Sequence, residues 1–83
     1  MRKLWIRLSS VRDVQRFVGT LTSLPGDFEL VSGPFVLDAR SLMGILGFDL
    51  SRPLCLNVYE DRPETLAALA PFETEREEKS HEQ

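Results

Sequence analysis

The first third of the chain changes from a strand-like to a helix-like spacing of apolar residues. Apolar side chains first occupy every second position, which is typical of a half-buried strand, at Leu4, Ile6 and Leu8. The spacing then becomes three and four residues, which predicts an amphipathic helix with an apolar face of Val11, Val14, Phe17, Val18, Leu21 and Leu24. Ser10 and Asp13 predict a capping box at its start, and Pro25-Gly26 predicts its end.

The middle of the chain carries a hairpin pattern and a second helix start. Residues 28–31 and 35–38 have the composition of two strands joined by a turn at Ser32-Gly33, with Pro34 at the start of the second strand. Ser41 is a favoured N-cap residue, and Gly47 is a favoured C-terminal stop. Between them a short helix is predicted from the apolar positions Leu42, Met43, Ile45 and Leu46.

The last third repeats the strand-then-helix pattern. A fourth strand is predicted from the alternating apolar residues Leu54, Leu56 and Val58. Asp61 with Glu64 predicts another N-terminal cap, Pro63 fits the first helical turn, and an apolar stripe follows at Leu66, Leu69 and Phe72. The order βαββαβα predicts an α+β open-faced sandwich, in which three helices cover one face of a four-stranded sheet.

Composition restricts the chemistry that this fold can carry. The 83 residues include one cysteine and one histidine, so an intrachain disulfide and a cysteine-based zinc site are excluded, and we expect neither a metal nor a cofactor. Cys55 alternates with core residues and is interpreted as a small filler. His81 is interpreted as an exposed histidine without a catalytic role.

Charge divides the chain into two predicted parts. Residues 1–72 carry eight basic and eight acidic side chains, and residues 73–83 account for the whole net charge of −3. We therefore expect a domain over 1–72 and an acidic, largely disordered tail over 73–83. A neutral domain argues against a nucleic-acid partner, and no apolar run reaches the length of a membrane span. The chain is expected to be cytoplasmic and to act away from membranes.

One segment resembles a known family. The run from Val36 to Leu46 contains Arg40-Ser41-Leu42-Met43-Gly44. It is similar to the Arg/Lys-Ser-Ile-Met-Gly segment that opens the second helix of HPr, the small histidine-containing phosphocarrier of the bacterial sugar phosphotransferase system. The match runs without a gap from Ser10 through this helix, and onward to about residue 72. The resemblance implies the HPr-like open-faced sandwich fold.

The resemblance fails at the residue that gives HPr its chemistry. HPr accepts a phosphoryl group on a histidine at the start of its first helix, and an arginine two residues later stabilises the charge. Here Ser10 stands at the position of that histidine and Arg12 at the position of the arginine. A serine phosphate ester is too stable to pass its phosphoryl group onward. The expected protein is therefore not an enzyme and is inactive in phosphohistidine transfer.

The resemblance also implies a regulatory serine. In some relatives the serine that opens the second helix is phosphorylated by HPr kinase, and the product binds a transcription regulator of the catabolite-control type. Ser41 is the matching residue, with Arg12 and Arg40 as candidate sources of charge for a phosphate there. The alternative is that Ser41 serves only as a helix cap.

A partner-docking patch is the third implication. In HPr relatives the apolar residues of the second helix are partly exposed and dock partner proteins, and the matching residues are Leu42, Met43 and Leu46. The alternatives are that all three belong to the core or form the seam of a crystal dimer, and the protein is expected to be a monomer or a weak dimer. Two functions remain open: a regulatory HPr-like protein switched at Ser41, and a constitutive scaffold without phosphorylation or a role in sugar transport.

A weaker candidate lies on the sheet face opposite the helices. Trp5, Arg7, Asn57 and Tyr59 are expected to share that face. Such a mixture of aromatic and basic side chains is one way to bind a nucleic acid or a peptide.

Overall fold

A computed structural model describes residues 1–75 and shows four strands, three α-helices and a final turn of 3-10 helix. The strands and helices follow the predicted order. The elements are β1 (Arg2–Ile6), α1 (Val11–Thr22), β2 (Phe28–Ser32), β3 (Phe35–Asp38), α2 (Leu42–Leu46), β4 (Leu54–Val58), α3 (Pro63–Leu69) and the 3-10 turn Ala70–Phe72. The fold is α+β, as the sequence predicted.

The four strands form one antiparallel sheet in the order β1-β4-β2-β3. β4 occupies a central position, pairing Leu56 with Leu4 of β1 and with Leu30 of β2. Because paired residues share a face, these leucines align across the sheet, and all three are buried. One edge of the sheet is therefore β1 and the other is β3.

The helix-covered face of the sheet contains the apolar core. α1 contributes Val14, Phe17 and Leu21, all fully buried, and the Phe17 ring meets Phe72 edge to face at 5.3 Å. Val11, predicted on the apolar face of the same helix, is instead 56% exposed because it occupies the first turn, beyond the end of the core. The remaining buried apolar residues are Leu4, Ile6, Leu8, Phe28, Leu30, Ala39, Ile45, Leu54, Leu56, Val58 and Leu69.

The β2–β3 hairpin turns one residue later than predicted. Ser32 pairs with Phe35, so Gly33 and Pro34 form the turn, and Pro34 is not the first residue of the strand. Gly33 has a φ of 59°, which is the conformation that the first central position of a two-residue hairpin requires and that glycine adopts without strain.

The predicted cap of α3 is wrong. Arg62 is the N-cap residue, and it makes no side-chain capping hydrogen bond within the described chain. Pro63 forces the residue before it into an extended conformation, and Arg62 accordingly has φ −72° and ψ 153°. The helix therefore cannot begin earlier, and Asp61 lies one residue too far away to cap it. Asp61 forms an exposed ion pair with Arg2 instead.

The chain returns to the β1 edge after the last helix. Glu73 forms an isolated antiparallel bridge with Ile6, while Arg7 N–H donates to the Phe72 carbonyl and Thr74 N–H donates to the Trp5 carbonyl at 2.8 Å. The first residues of the predicted tail thus cover the β1 edge. The rest of that tail, including His81, lies outside the described residues.

Candidate functional site

The corner between β3 and α2 fixes Ser41 at the start of its helix. The Asp38 carbonyl accepts the Ser41 N–H at 2.9 Å, and the Asp38 carboxylate accepts the Arg40 N–H at 2.9 Å. Ser41 Oγ then accepts the Gly44 N–H at 3.3 Å, as an N-cap side chain does. Ser41 is an exposed residue, and its hydroxyl caps the helix.

Gly44 has a steric reason to lack a side chain. A Cβ at this position would lie 3.0 Å from Ser41 Oγ and 3.1 Å from Leu37 Cδ2. Both contacts are tighter than ordinary packing. The glycine of the Arg-Ser-Leu-Met-Gly segment therefore leaves space beside the Ser41 hydroxyl.

The apolar residues of α2 divide between the core and the surface. Ile45 is fully buried, and Leu42 is half-buried against the core. Met43 is 78% exposed and Leu46 is 37% exposed. A five-residue helix cannot turn every apolar side chain inward, so two of the three predicted docking residues lie on its outer side. We call Ser41, Met43 and Leu46 the α2 surface.

The Arg40 guanidinium donates hydrogen bonds to three backbone carbonyls, contrary to the prediction that it supplies charge to Ser41. Its Nε donates to the Leu21 carbonyl at 3.1 Å, and its Nη2 donates to the Leu24 and Gly26 carbonyls at 2.8 and 3.0 Å. The guanidinium also lies 5.0 Å from the centre of the Phe28 ring. It neutralises carbonyls at the end of α1, whose last turn contains no basic residue. The absence of a basic residue from the last turn of α1 was the sequence signal that could have suggested this role for Arg40.

Ser10 and Arg12 lie at the opposite end of α1 from Arg40. Ser10 Oγ accepts the Asp13 N–H at 3.1 Å, Asp13 in turn accepts the Ser9 N–H, and Arg12 is exposed. Twelve residues of helix separate this end from the Arg40 end by about 18 Å. No hydrogen bond or ion pair within residues 1–75 joins Ser10 to Ser41. The structure does not bring the two serines into one site.

The loop after α2 lies beside the beginning of α1. Arg7, in the short segment between β1 and α1, donates from Nη1 to the Ser51 carbonyl at 3.1 Å. Ser51 also donates its hydroxyl to the Asp49 carboxylate at 2.6 Å, which lowers the pKa of Asp49. Since α2 begins near the end of α1 and its following loop reaches the start of α1, the two helices run in opposite directions.

The uncovered sheet face consists of two rows of side chains. One row is polar and runs across all four strands through Lys3, Asn57, Glu29 and Asp38. The other row is apolar and consists of Trp5, Cys55, Val31 and Val36. Of the four residues predicted here, Trp5 and Asn57 belong to these rows, whereas Arg7 lies beyond the end of β1.

A groove on this side of the sheet is acidic. The groove has a volume of about 420 Å³ and is lined by Asp27, Phe28, Glu29, Val36, Leu37, Asp38 and Tyr59. The Glu29 carboxylate accepts a hydrogen bond from the Tyr59 hydroxyl at 2.7 Å, and this bond raises the pKa of Tyr59. Three carboxylates repel phosphate, so this groove does not favour the nucleic-acid interpretation.

Among residues 1–75, no three histidine, cysteine or acidic side chains are grouped so as to hold a metal ion. No helix in the same residues is long and apolar enough to cross a bilayer.

Comparison with known proteins adds no relative. No protein-family model, curated protein or solved structure matches this chain. Evidence on function therefore comes from the geometry of the α2 surface and from the residues of the Arg40 to Gly44 segment.

Proposed function

We propose that this protein is an HPr-like regulatory module that binds a protein partner through the α2 surface and is switched by phosphorylation of Ser41. The observation that carries the proposal is that Ser41 is exposed at the start of the same short helix that exposes the side chains of Met43 and Leu46. Exposed large apolar groups beside a modifiable hydroxyl are suited to recognition that a charge can strengthen or block.

The α+β fold and its order of elements support the family proposal. With Ser10 at the position of the family histidine, the protein is proposed to be inactive in phosphohistidine transfer and to have no enzymatic activity. The proposed partners are a kinase and a transcription regulator of the catabolite-control type, and the proposed location is the cytoplasm.

The alternative function is a constitutive interaction module without phosphorylation. The position of Arg40 favours it, because this cation is held by three carbonyls and is not turned toward Ser41. A phosphate on Ser41 would have to be stabilised without its neighbouring arginine. Both functions use Met43 and Leu46, so phosphorylation itself distinguishes them.

Incubation with HPr kinase and ATP, read by intact mass, tests the switch. We expect one added phosphoryl group on the wild type and on Ser10→Ala, and none on Ser41→Ala. The two serines are a matched pair, since both are exposed N-cap residues. Absence of the added mass from the wild type would favour the constitutive alternative. Phosphate on Ser10 would contradict the assignment of the site.

A second experiment tests the docking surface. We expect Met43→Glu to abolish binding to a purified catabolite-control regulator. Val36→Glu introduces the same charge on the uncovered sheet face, away from the α2 surface, and should leave binding unchanged. Both sites are more than half exposed, so both variants should fold. Equal loss of binding in the two variants would remove the α2 surface as the docking site.

A third experiment tests the predicted loss of phosphocarrier chemistry. Incubation with enzyme I and phosphoenolpyruvate should leave the protein unmodified. Acid-labile, alkali-stable phosphate on the chain would show that an imidazole accepts phosphate despite Ser10.

A further inference from the structure

The two edges of the sheet differ in how they are covered. The β1 edge is paired with the chain around Glu73, whereas no strand within residues 1–75 pairs with the outer side of β3. β3 also carries two large exposed apolar side chains, Phe35 at 65% and Val36 at 58% exposed. An uncovered apolar edge strand is a template for pairing with another strand.

The direction of each peptide group on this edge follows from the hairpin. Ala39 N–H donates inward to the Phe28 carbonyl, so alternate residues of β3, Phe35 and Leu37, direct their backbone groups toward β2. The groups that point outward are consequently the Pro34 carbonyl, both backbone groups of Val36, and both backbone groups of Asp38.

Two features remove one donor and one acceptor from this outer edge. Pro34 has no N–H. The Asp38 carbonyl is already occupied, because it accepts the Ser41 N–H at 2.9 Å. Among the described residues 1–75, the donors left without a partner are the N–H groups of Val36 and Asp38, and the acceptors left are the carbonyls of Pro34 and Val36.

We propose that β3 pairs antiparallel with β3 of a second copy of this chain, with Val36 opposite the partner's Val36. In this register the two Val36 residues exchange two hydrogen bonds, and each Asp38 N–H donates to the carbonyl of the partner's Pro34. Pro34, which has no N–H to donate, then lies opposite the partner's Asp38, whose carbonyl already accepts the Ser41 N–H of its own chain. Every free backbone group of the edge obtains a partner, and none is left unmatched.

The side chains agree with the same register. Val36 contacts the partner's Val36 on the uncovered face, and Phe35 contacts the partner's Leu37 on the helix-covered face. Asp38 lies opposite the partner's Pro34. The two Asp38 residues are about 13 Å apart along the strands, beyond the Debye length of about 8 Å at physiological salt, so they repel little.

The size of the interface sets the strength of the dimer. Four paired residues bury much less than the roughly 800 Å² per partner of a standard stable interface. The dimer is therefore weak and forms at high protein concentration. This proposal does not depend on the proposed function, since the α2 surface lies on the other side of the sheet.

Sedimentation velocity from about 10 µM to about 2 mM, a range suited to weak association, tests the dimer with a matched pair of variants. Val36→Lys and Val11→Lys replace the same residue at nearly equal exposure, 58% and 56%, on the edge and on α1. We expect the wild type and Val11→Lys to dimerise alike, and Val36→Lys to dimerise at least tenfold more weakly. Raising the protein concentration should also slow hydrogen exchange of the Val36 and Asp38 amides in the wild type.

Three results would overturn the proposal. They are a wild type that stays monomeric throughout, equal weakening by both lysines, and a dimer in which the Val36 amide gains no protection. If an added extended peptide of alternating valine and threonine protects that amide in a monomeric wild type, the edge belongs to a foreign strand.

Discussion

The helices α1 and α2 begin in the same way and are held in different ways. Each starts at an exposed serine whose Oγ accepts the N–H three residues later. α1 then continues for twelve residues, buries three side chains and ends under the guanidinium of Arg40. α2 continues for five residues, buries only Ile45 among its members and ends at Gly47.

The difference shows that a helix cap does not determine how firmly a helix is held in the core. Capping contributes about 1 kcal/mol at either serine, whereas burial of large apolar side chains contributes several times more. α1 is therefore part of the core, whereas α2 is attached to it by one fully buried residue, Ile45, and by the half-buried Leu42. The apolar groups that α2 leaves outside are available to a partner, which is the basis of the proposed function.

The largest expected effect separates the anchor of α2 from its surface. Ile45→Ala should lower the free energy of unfolding by about 2–5 kcal/mol, because it empties a fully buried site. Met43→Ala should change it by less than about 0.5 kcal/mol, as exposed sites do. Chemical denaturation of both variants measures this. Comparable losses would mean that Met43 belongs to the core.

The two serine caps should be nearly equal. Ser10→Ala and Ser41→Ala should each lower the free energy of unfolding by about 0.5–2 kcal/mol. Ser41→Asp should keep most of the wild-type free energy of unfolding, because aspartate is an equally good cap. Thermal melts of the three variants are the measurement. A neutral Ser41→Ala would indicate that the cap of α2 contributes nothing to the fold.

A glycine in each helix should respond in opposite directions. Gly19 in α1 has open space where a Cβ would stand, so Gly19→Ala should raise the free energy of unfolding by about 0.5–1 kcal/mol. Gly44→Ala should lower it, because the new Cβ crowds Ser41 and Leu37. Denaturation curves decide the signs. Stabilisation by both substitutions would contradict the steric account of Gly44.

The smallest effect concerns α3, the helix without a side-chain cap. Arg62→Ser supplies the missing cap and should raise the free energy of unfolding by a few tenths of a kcal/mol up to about 1 kcal/mol. The exposed ion pair of Arg62 with Glu60 that it removes contributes little. A lower melting temperature for Arg62→Ser would show that this ion pair outweighs the cap.

Local patterns were sufficient for the elements but not for the contacts between distant segments. The serine caps, the strand alternation and the order of elements depend on neighbours within a few positions, and the structure confirms them. The cap of α3 was mispredicted because Pro63 controls the residue before it more strongly than Asp61 attracts amides. Within the candidate site, the motif located Ser41, and helix length explained why Met43 and Leu46 lie outside.

The hydrogen-bond acceptors of Arg40 and the contacts around Gly44 could be identified only in the folded chain. The acceptors of Arg40 are 14 to 19 residues away in sequence, and the obstacle to a side chain at Gly44 includes Leu37 of another element. The pairing of β1 with β4 likewise joins residues 2–6 to residues 54–58, which are distant in sequence. Such contacts leave no local periodicity from which to infer them.

The position of Arg40 also has a consequence for the order of folding. Its three hydrogen bonds close the segment from Leu21 to Arg40, which contains the end of α1 and the whole β2–β3 hairpin. This loop closes within 20 residues, whereas β1 and β4 must meet across more than twice that separation. Since the entropy lost on loop closure grows with loop length, the segment is expected to assemble first. We therefore expect Arg40 to take part in the folding nucleus, so that in stopped-flow kinetics Arg40→Ala slows folding more than it accelerates unfolding.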